Sequence, residues 1–538
     1  MKENGRLALL GGISVVLMSL PWLVPHTGFL ALFGLVPLLL MEELAFRGGR
    51  RRFWLWHYGV FVLWNAATTF WVCNATVGGG IFAVLANALQ MSVVFGIFHF
   101  SRRKLKGFLP YALLAALWIA WERWYFGTQI SWPWLVLGNA FARSTRLVQW
   151  YEYTGTLGGS LWIWASNLAV FFTLKAFASP STVRVRAALG CGTVLLLLAP
   201  AALSLGIYSS YEERSDAGEL AVGIIQPNLD PYEKFESLTQ AQQNRRLLSL
   251  AAPLAGDRDS LSPYLLLAPE TFTGDVVLND LHGGATWKTF DRFLSDKPGV
   301  NILYGASTYE FFRTRSAPSL LARASGNGWV ESHNSALIQD GSGRTGVFHK
   351  SKLVVGTELT PYPKIFVPLD DKLGGVMGRC IGQDEVSLLE VCDSRSGARI
   401  PLGCAVCYES VYGEYCTSYV RKGAQAMTVI TNDAWWGNTP GYRQHLSYSA
   451  LRAIELRRDI ARCGNTGISA FINQRGDIVE RGPWWEQAVL SGKIKLSGRQ
   501  TAFVRYGDVT GRMCSLVAVL LLLVLLVSVL TGRDPRRA

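Results

Sequence analysis

Long apolar stretches punctuated by short basic ones run through the first part of the chain, and the pattern then changes character. Apolar segments close to the ~20 residues that cross a hydrocarbon core fall at 6–24, 28–45, 53–73, 79–99, 108–126, 160–178, 186–208 and 513–531. Pro37 interrupts the second. Small-residue cleavage chemistry does not follow the first segment, so it is expected to stay as an anchor. Between 209 and 512 the apolar runs shorten, and Asp, Asn and Gly turns separate them. Short β-branched runs predict strands at 220–226, 264–269, 300–305, 335–340, 402–409, 426–432 and 467–473. Apolar residues at helical spacing predict helices over 238–255 and 444–462. Strands alternating with helices predict an α/β domain.

The charge pattern sets an orientation for the spans. The chain has 538 residues, a formal charge of +13 and only 17% charged residues. Much of the basic excess sits at "RGGRRR" (47–52), "SRRKLK" (101–106), "STVRVR" (181–186) and "GRDPRRA" (532–538). With eight spans these four sites share one side, the cytoplasmic one. The block 209–512 is then extracytoplasmic, in the periplasm of a Gram-negative cell. Nineteen tryptophans suit membrane interfaces. The basic residues read as topology signals rather than a nucleic-acid surface, and no glycine-rich phosphate loop has the right context. The expected divisions are 1–208, a membrane domain of about seven helices; 209–512, a catalytic domain; and 513–538, a last span with a basic tail.

Six of the nine cysteines fall in the extracytoplasmic block. "CAVCYESVYGEY" (404–415) contains a C-x-x-C pair, compatible with redox chemistry, half a zinc site or a single nucleophile. A zinc site wants a second ligand pair, which the sequence lacks. On a strand, residues three apart face opposite ways. One of the pair is therefore expected to enter a site and the other to pack in the core. Cys407 lies at the strand end, where function emerges in α/β sheets. A nucleophilic cysteine needs a base and oxyanion donors. None of the four histidines in the block, at 282, 333, 349 and 445, has a cysteine-protease context. Carboxylate and lysine partners are available instead. "LLLAPETF" (265–272) ends an apolar strand in Glu270, and "FHKSKLVVGTELTPYP" (348–363) carries Lys350 and Glu358.

In this order, Glu270, Lys350 and Cys407 resemble the Glu-Lys-Cys triad of the nitrilase (carbon–nitrogen hydrolase) superfamily. The run 431–478, with its Asn-Asp-x-Trp strand end, Arg-Ala-x-Glu helix and Asn-x-Gly-x-Ser strand, is similar to that superfamily as well. Membrane spans on both sides, and "SWPWLVLGNAFA" (131–142), make the whole chain resemble the apolipoprotein N-acyltransferase family, its membrane-bound branch. The resemblance implies a polytopic α-helical membrane domain plus an α/β nitrilase-like domain, an α-β-β-α sandwich. It implies acyl transfer from a phospholipid, through a cysteine thioester, to the α-amino group of a diacylglyceryl-modified apolipoprotein. Cys407 would be the nucleophile, Glu270 the general base and Lys350 the third member, with the Tyr408 N–H as an oxyanion donor. Glu358, Tyr408 and Glu409 match supporting positions, and Trp435 matches an aromatic position near the site mouth. Phe235, in "QPNLDPYEKF", stands where the family often has tryptophan. Loops 229–236 and 353–367 are expected to shield the thioester from water. The implied protein is a monomer of the bacterial inner membrane, in contact with membrane lipids and needing no metal, cofactor or nucleic acid.

Glu122 and Arg123, near the outer end of the fifth span, are either functional or snorkelling charges. Two other readings stay open from the sequence. One is a membrane-tethered amidase acting on a small amide or nitrile, against which a need for so many spans argues. The other is a transporter or lipid-binding scaffold with an inactive domain, against which the intact triad argues.

Overall fold

The computed structural model describes residues 3–256, 263–393 and 396–532, with the Phe235 and Glu236 side chains outside that description. The chain folds into two compact units. The first comprises residues 1–211, 438–447 and 506–538; the second comprises 212–437 and 448–505.

The first unit is helical. Its long helices are α1 (Glu3–Leu23), α2 (Val36–Arg47), α3 (Phe53–Thr69), α4 (Val77–Ser101), α5 (Leu109–Tyr125), α6 (Thr156–Ala178) and α7 (Val183–Ser210). A further helix near the C-terminus spans Val509–Leu530. Among the described residues, six helical segments are long and apolar enough to cross a membrane. The other two expected spans, α3 and α5, are helices of 17 residues each. The expected second span is broken, running as short helical turns from Gly28 before α2 begins at Val36, with Pro37 in its first turn. That position suits proline, whose missing N–H needs no partner there.

Glu122 faces the interior of this unit and is fully buried. Its carboxylate accepts from the Trp118 indole at 3.1 Å and the Leu137 N–H at 2.8 Å. It thereby anchors the loop 131–142. Arg123 pairs with Asp508 at 3.5 Å. Gln444, from the short 438–447 segment, is a second buried junction. Its amide oxygen accepts from the indoles of Trp71 (3.2 Å) and Trp134 (2.7 Å), and its nitrogen donates to the carbonyls of Trp22 (3.2 Å) and Thr68 (3.1 Å).

The described residues of the second unit form two sheets. Strands β1 (Glu219–Gln226), β2 (Tyr264–Leu267), β3 (Thr273–Val277), β4 (Val300–Phe312), β5 (Arg323–Ser325), β6 (Gly328–Asp340) and β7 (Thr345–His349) belong to the first. Strands β8 (Leu389–Cys392), β9 (Arg399–Val406), β10 (Ala426–Thr431), β11 (Ile460–Gly464), β12 (Ala470–Ile472) and β13 (Ile478–Arg481) form the second, while β14 (Ala488–Lys495) returns to the edge of the first. The orders are β14-β1-β2-β4-β6-β5, with β3 on β4 and β7 on β6, and β13-β12-β11-β10-β9-β8. The β11 thiol of Cys463 reaches the Ile225 carbonyl of β1 at 3.1 Å, so the two sheets meet face to face. Apolar residues of helices 240–256 and 285–294 pack on the first sheet, among them Leu247, Ala251, Phe290 and Leu294. Helix Gly413–Arg421 packs on the second, its Tyr419 hydroxyl donating to the Cys404 carbonyl at 2.9 Å. The result is the α-β-β-α sandwich of nitrilase-like domains.

Two local expectations are corrected. The helix expected over 444–462 is observed as Pro440–Leu456. Arg457 at φ +49° turns the chain, and β11 begins at Ile460 in the middle of the second sheet. The strand expected over 402–409 stops at Val406, and residues 407–411 form a 3₁₀ turn.

Replacing Gln444 by Leu removes four hydrogen bonds from the helical unit. Buried polar groups left short of partners cost about 1–3 kcal/mol each. The expected outcome is an apparent unfolding temperature lower by at least ~3 °C, followed by tryptophan fluorescence of the detergent-solubilised protein.

Candidate active site

The nucleophile candidate sits on a strained turn. Cys407 follows the last residue of β9 at φ +54°, a conformation that costs a non-glycine residue about 1–3 kcal/mol. Neighbours hold it there. The Ser410 hydroxyl donates to the Cys407 carbonyl at 2.8 Å. Arg452, on helix 440–456, donates to the carbonyls of Ser410 (3.2 Å) and Val411 (2.8 Å). The buried Glu409 carboxylate accepts from the Val406 N–H at 2.8 Å. Its other oxygen accepts from Ser351 N–H (2.8 Å), Lys352 N–H (3.1 Å) and the Tyr415 hydroxyl (2.7 Å). One carboxylate therefore ties the loop just after Lys350 to the strand that presents Cys407.

The base candidate sits on a second strained turn. Glu270 follows β2 and precedes Thr271 at φ +43°. Gly305 of β4 makes room: a Cβ there would lie 2.5 Å from both Glu270 Cα and Thr271 N. Glu270 Oε1 accepts from Lys350 Nζ at 3.0 Å and from Asn334 Nδ2 at 2.8 Å. Its Oε2 accepts from the Asn432 N–H at 3.0 Å. All of these groups lie within the second unit.

Lys350 is 1% exposed and bridges two carboxylates, at 3.0 Å to Glu270 and 3.0 Å to Glu358. Asn334 reaches the same two, donating to Glu358 Oε1 at 2.6 Å. Glu358 in turn accepts from the Val354 N–H at 2.7 Å, closing its own loop. Burial pulls the Lys350 pKa down, but the charges of Glu270 and Glu358 overcome this and hold it well above the ordinary lysine value. Burial, reinforced by the Glu270 charge, pushes the Cys407 thiol well up against the opposing pull of Lys350. Burial and the Glu270 charge thus favour the protonated thiol at rest.

The other sequence candidates fall around this centre. Tyr408 is buried and meets Tyr412 edge-on at 5.2 Å. Trp435, after β10, stays 37% exposed and meets Tyr232 edge-on at 5.9 Å, which places an aromatic pair at the surface of this unit. Phe235 lies on the helix Pro231–Glu236, its side chain outside the described residues. Cys404 is a fully buried thiol without a disulfide, its pKa pushed up to about 12 by burial. No disulfide joins Cys404 to Cys407.

Sequence reasoning missed Asn334, Asn432 and Lys234. The first two approach Glu270 from β6 and from the end of β10, elements remote in sequence. Lys234 donates to the Thr271 carbonyl from a short helix. Asn432 belongs to the Asn-Asp-x-Trp strand end already singled out, so it was the accessible one. Behind it, Asp433 and Arg462 form a fully buried pair at 2.7 Å, with the Thr431 hydroxyl donating to Asp433 at 2.6 Å.

Comparison with known proteins gives two family matches. Residues 14–169 match the apolipoprotein N-acyltransferase N-terminal domain, and residues 316–502 match the carbon–nitrogen hydrolase family. The chain is 29% identical to an apolipoprotein N-acyltransferase of Chlorobaculum tepidum over 96% of both chains. It is 27% identical to the same-named protein of Geobacter metallireducens, over 94% of this chain and 92% of that one. The chain is similar to apolipoprotein N-acyltransferases along nearly its whole length. A third relative of that name, from Nitrosomonas europaea, is 26% identical over 79% of this chain and 76% of its own. The carbon–nitrogen hydrolase match covers Lys350, Glu358 and Cys407 and begins after Glu270; the fold itself brings Glu270 to Lys350.

Lys350→Met leaves Glu270 and Glu358 facing each other without their shared cation, and it removes the charge that pulls the Cys407 thiol down. At pH 7 the rate of Cys407 alkylation by iodoacetamide is expected to fall at least about tenfold, one pKa unit being a factor of ten in thiolate. Peptide mass spectrometry of timed samples measures it.

Proposed function

We propose that this membrane protein transfers an acyl chain from a phospholipid to the N-terminal α-amino group of diacylglyceryl-cysteine lipoproteins, through a thioester on Cys407. The observation that carries the reading is the buried Lys350 ammonium between Glu270 and Glu358, next to a cysteine on a strained turn, in a chain with the family's membrane domain.

In the first half-reaction Glu270 takes the thiol proton while Sγ attacks the donor's ester carbonyl. The Lys350 ammonium and the Tyr408 N–H stabilise the oxyanion. The C–O bond breaks, and the lysophospholipid oxygen leaves with the proton from Glu270. In the second, the acceptor amine attacks the thioester, Glu270 takes an N–H proton, and the C–S bond breaks to return the thiol. Glu358 keeps Lys350 charged and placed throughout, and Glu409 keeps the two catalytic loops in register.

A lipid donor suits the surface beyond Glu358. The helix Pro363–Lys372 and its flanks expose Tyr362, Ile365, Leu369, Leu373 and Val376 at helical spacing, an apolar row suited to acyl chains or a bilayer surface. We place the protein in the bacterial inner membrane, with the catalytic block 209–512 on the periplasmic side between the spans of 1–208 and 513–538. It works as a monomer, since one chain supplies the triad. Water exclusion by loops 229–236 and 353–367 preserves the thioester for the amine.

Incubation with phospholipid and no acceptor tests the first half-reaction. Intact and peptide mass spectrometry are expected to find one acyl mass on Cys407. It is released by neutral hydroxylamine and absent in Cys407→Ala and Glu270→Gln. Free fatty acid without an adduct points instead to a hydrolase; neither adduct nor turnover in the lipid-reconstituted, folded protein rejects the acyl-enzyme.

A further inference from the structure

Lys350 is one cation against two carboxylates, Glu270 and Glu358, in a buried site. A second lysine is close. Lys234 is 6% exposed, and its ammonium donates to the carbonyl of Thr271, the residue after Glu270 that holds a left-handed backbone. We propose that Lys234 is a positioning residue for the general base, fixing the turn that aims Glu270 and placing a second positive charge near its carboxylate. The proposal rests on the assignment of Glu270 as the base.

The chain delivers Lys234 there by a pinned loop. Asp230 caps the short helix Pro231–Glu236, accepting from Tyr232 N–H at 2.9 Å and Glu233 N–H at 3.3 Å. Gln243 donates to the Lys234 carbonyl at 2.9 Å, fixing the last turn. The root of the loop is held by Asn465, which accepts from Leu229 N–H at 3.1 Å and donates to the Leu229 carbonyl at 2.7 Å. The same Asn465 amide donates to Asn432 Oδ1 at 3.2 Å, and the Asn432 N–H contacts Glu270. The loop bearing Lys234 and the carboxylate it serves thus share one network. A lysine so buried is rarely placed without a partner for its charge.

Among the described residues, the ionisable groups around Glu270 are Lys350, Glu358, Cys407 and Lys234. Asp433, paired with Arg462, also acts on Cys407, and Cys380 lies in the field of Glu358 and Lys350. Burial pulls Lys234 down to about 8, against the opposing effect of Glu270, so it is mainly protonated at pH 7. A positive charge next to Glu270 offsets that carboxylate's repulsion of a thiolate, so removing it disfavours the Cys407 thiolate.

The test is the pH dependence of Cys407 alkylation by iodoacetamide in the full-length, detergent-solubilised protein. Lys234→Met is expected to alkylate at least about threefold more slowly at pH 7, where Lys234 is charged, and at close to the wild-type rate above pH 9, where the lysine has lost its proton. Lys234→Arg keeps the charge and is expected to match the wild type at pH 7. Lys234→Gln serves in place of Lys234→Met if the latter does not fold. A neutral variant slowed by the same factor at pH 7 and above pH 9 overturns the proposal, because loss of packing alone lowers the rate at every pH; an unchanged rate at pH 7 overturns it too. An arginine variant as slow at pH 7 as the neutral ones overturns it as well. Iodoacetamide needs no phospholipid, so slowing confined to the lower pH together with absent acyl transfer rejects the proposed reaction while leaving the role of Lys234 intact.

Discussion

A lysine ammonium buried between two carboxylates is the constraint on which the rest of this catalytic unit depends. Lys350 loses its water and is compensated chiefly by Glu270 and Glu358, each 3.0 Å away. Such a cluster tolerates little displacement, because removing one partner of a buried pair leaves an uncompensated charge and costs about 3–5 kcal/mol. The surroundings are consistent with that demand. Gly305 clears the backbone under Glu270, and Asn334 bonds both carboxylates at once. The Val354 N–H fixes Glu358.

The same logic extends to the candidate nucleophile. Cys407 and Thr271 both occupy left-handed backbone that ordinary residues avoid, so two loops of the candidate site carry strain. Glu409 connects the nucleophile's loop to the lysine's. Three of its hydrogen bonds join the strand end before Cys407 to the loop after Lys350, and a fourth holds Tyr415, so a shift of one loop disturbs the other. In the proposed reaction the charge network must serve two attacks, by sulfur and then by an amine, and the same carboxylate handles the proton in both. Between them stands a thioester whose fate depends on excluding water, for which an apolar surface beyond Glu358 is well suited.

Much of this was legible in the sequence, and the failures have physical causes. Long apolar runs mark spans because a single segment in lipid can satisfy its own backbone only as a helix. Glu270, Lys350 and Cys407 stood out because each ends an apolar run, where a strand hands its chain to a site. The strand β11 was hidden inside a helical pattern. "LRRDIARCG" reads as a charged helix end, but Arg462 is buried opposite Asp433 in a central strand, and Arg457 makes the turn between the two elements. Lys234 and Asn334 gave no signal, since a lysine in a polar loop and an asparagine in a strand are ordinary until folding brings them to Glu270. Nor did polar Gln444 reveal that residues 438–447 group with the helical unit.

The central claim is that the Cys407 acyl group passes to an amine rather than to water. It is tested most directly by loading the enzyme with radiolabelled acyl chain from phospholipid, removing the donor, and chasing with a diacylglyceryl-cysteinyl peptide or with buffer alone. The account predicts label leaving Cys407 rapidly with the peptide and appearing as an N-acyl amide, while the buffer chase leaves the thioester largely intact. Label released as free fatty acid at the same rate in both chases would contradict it.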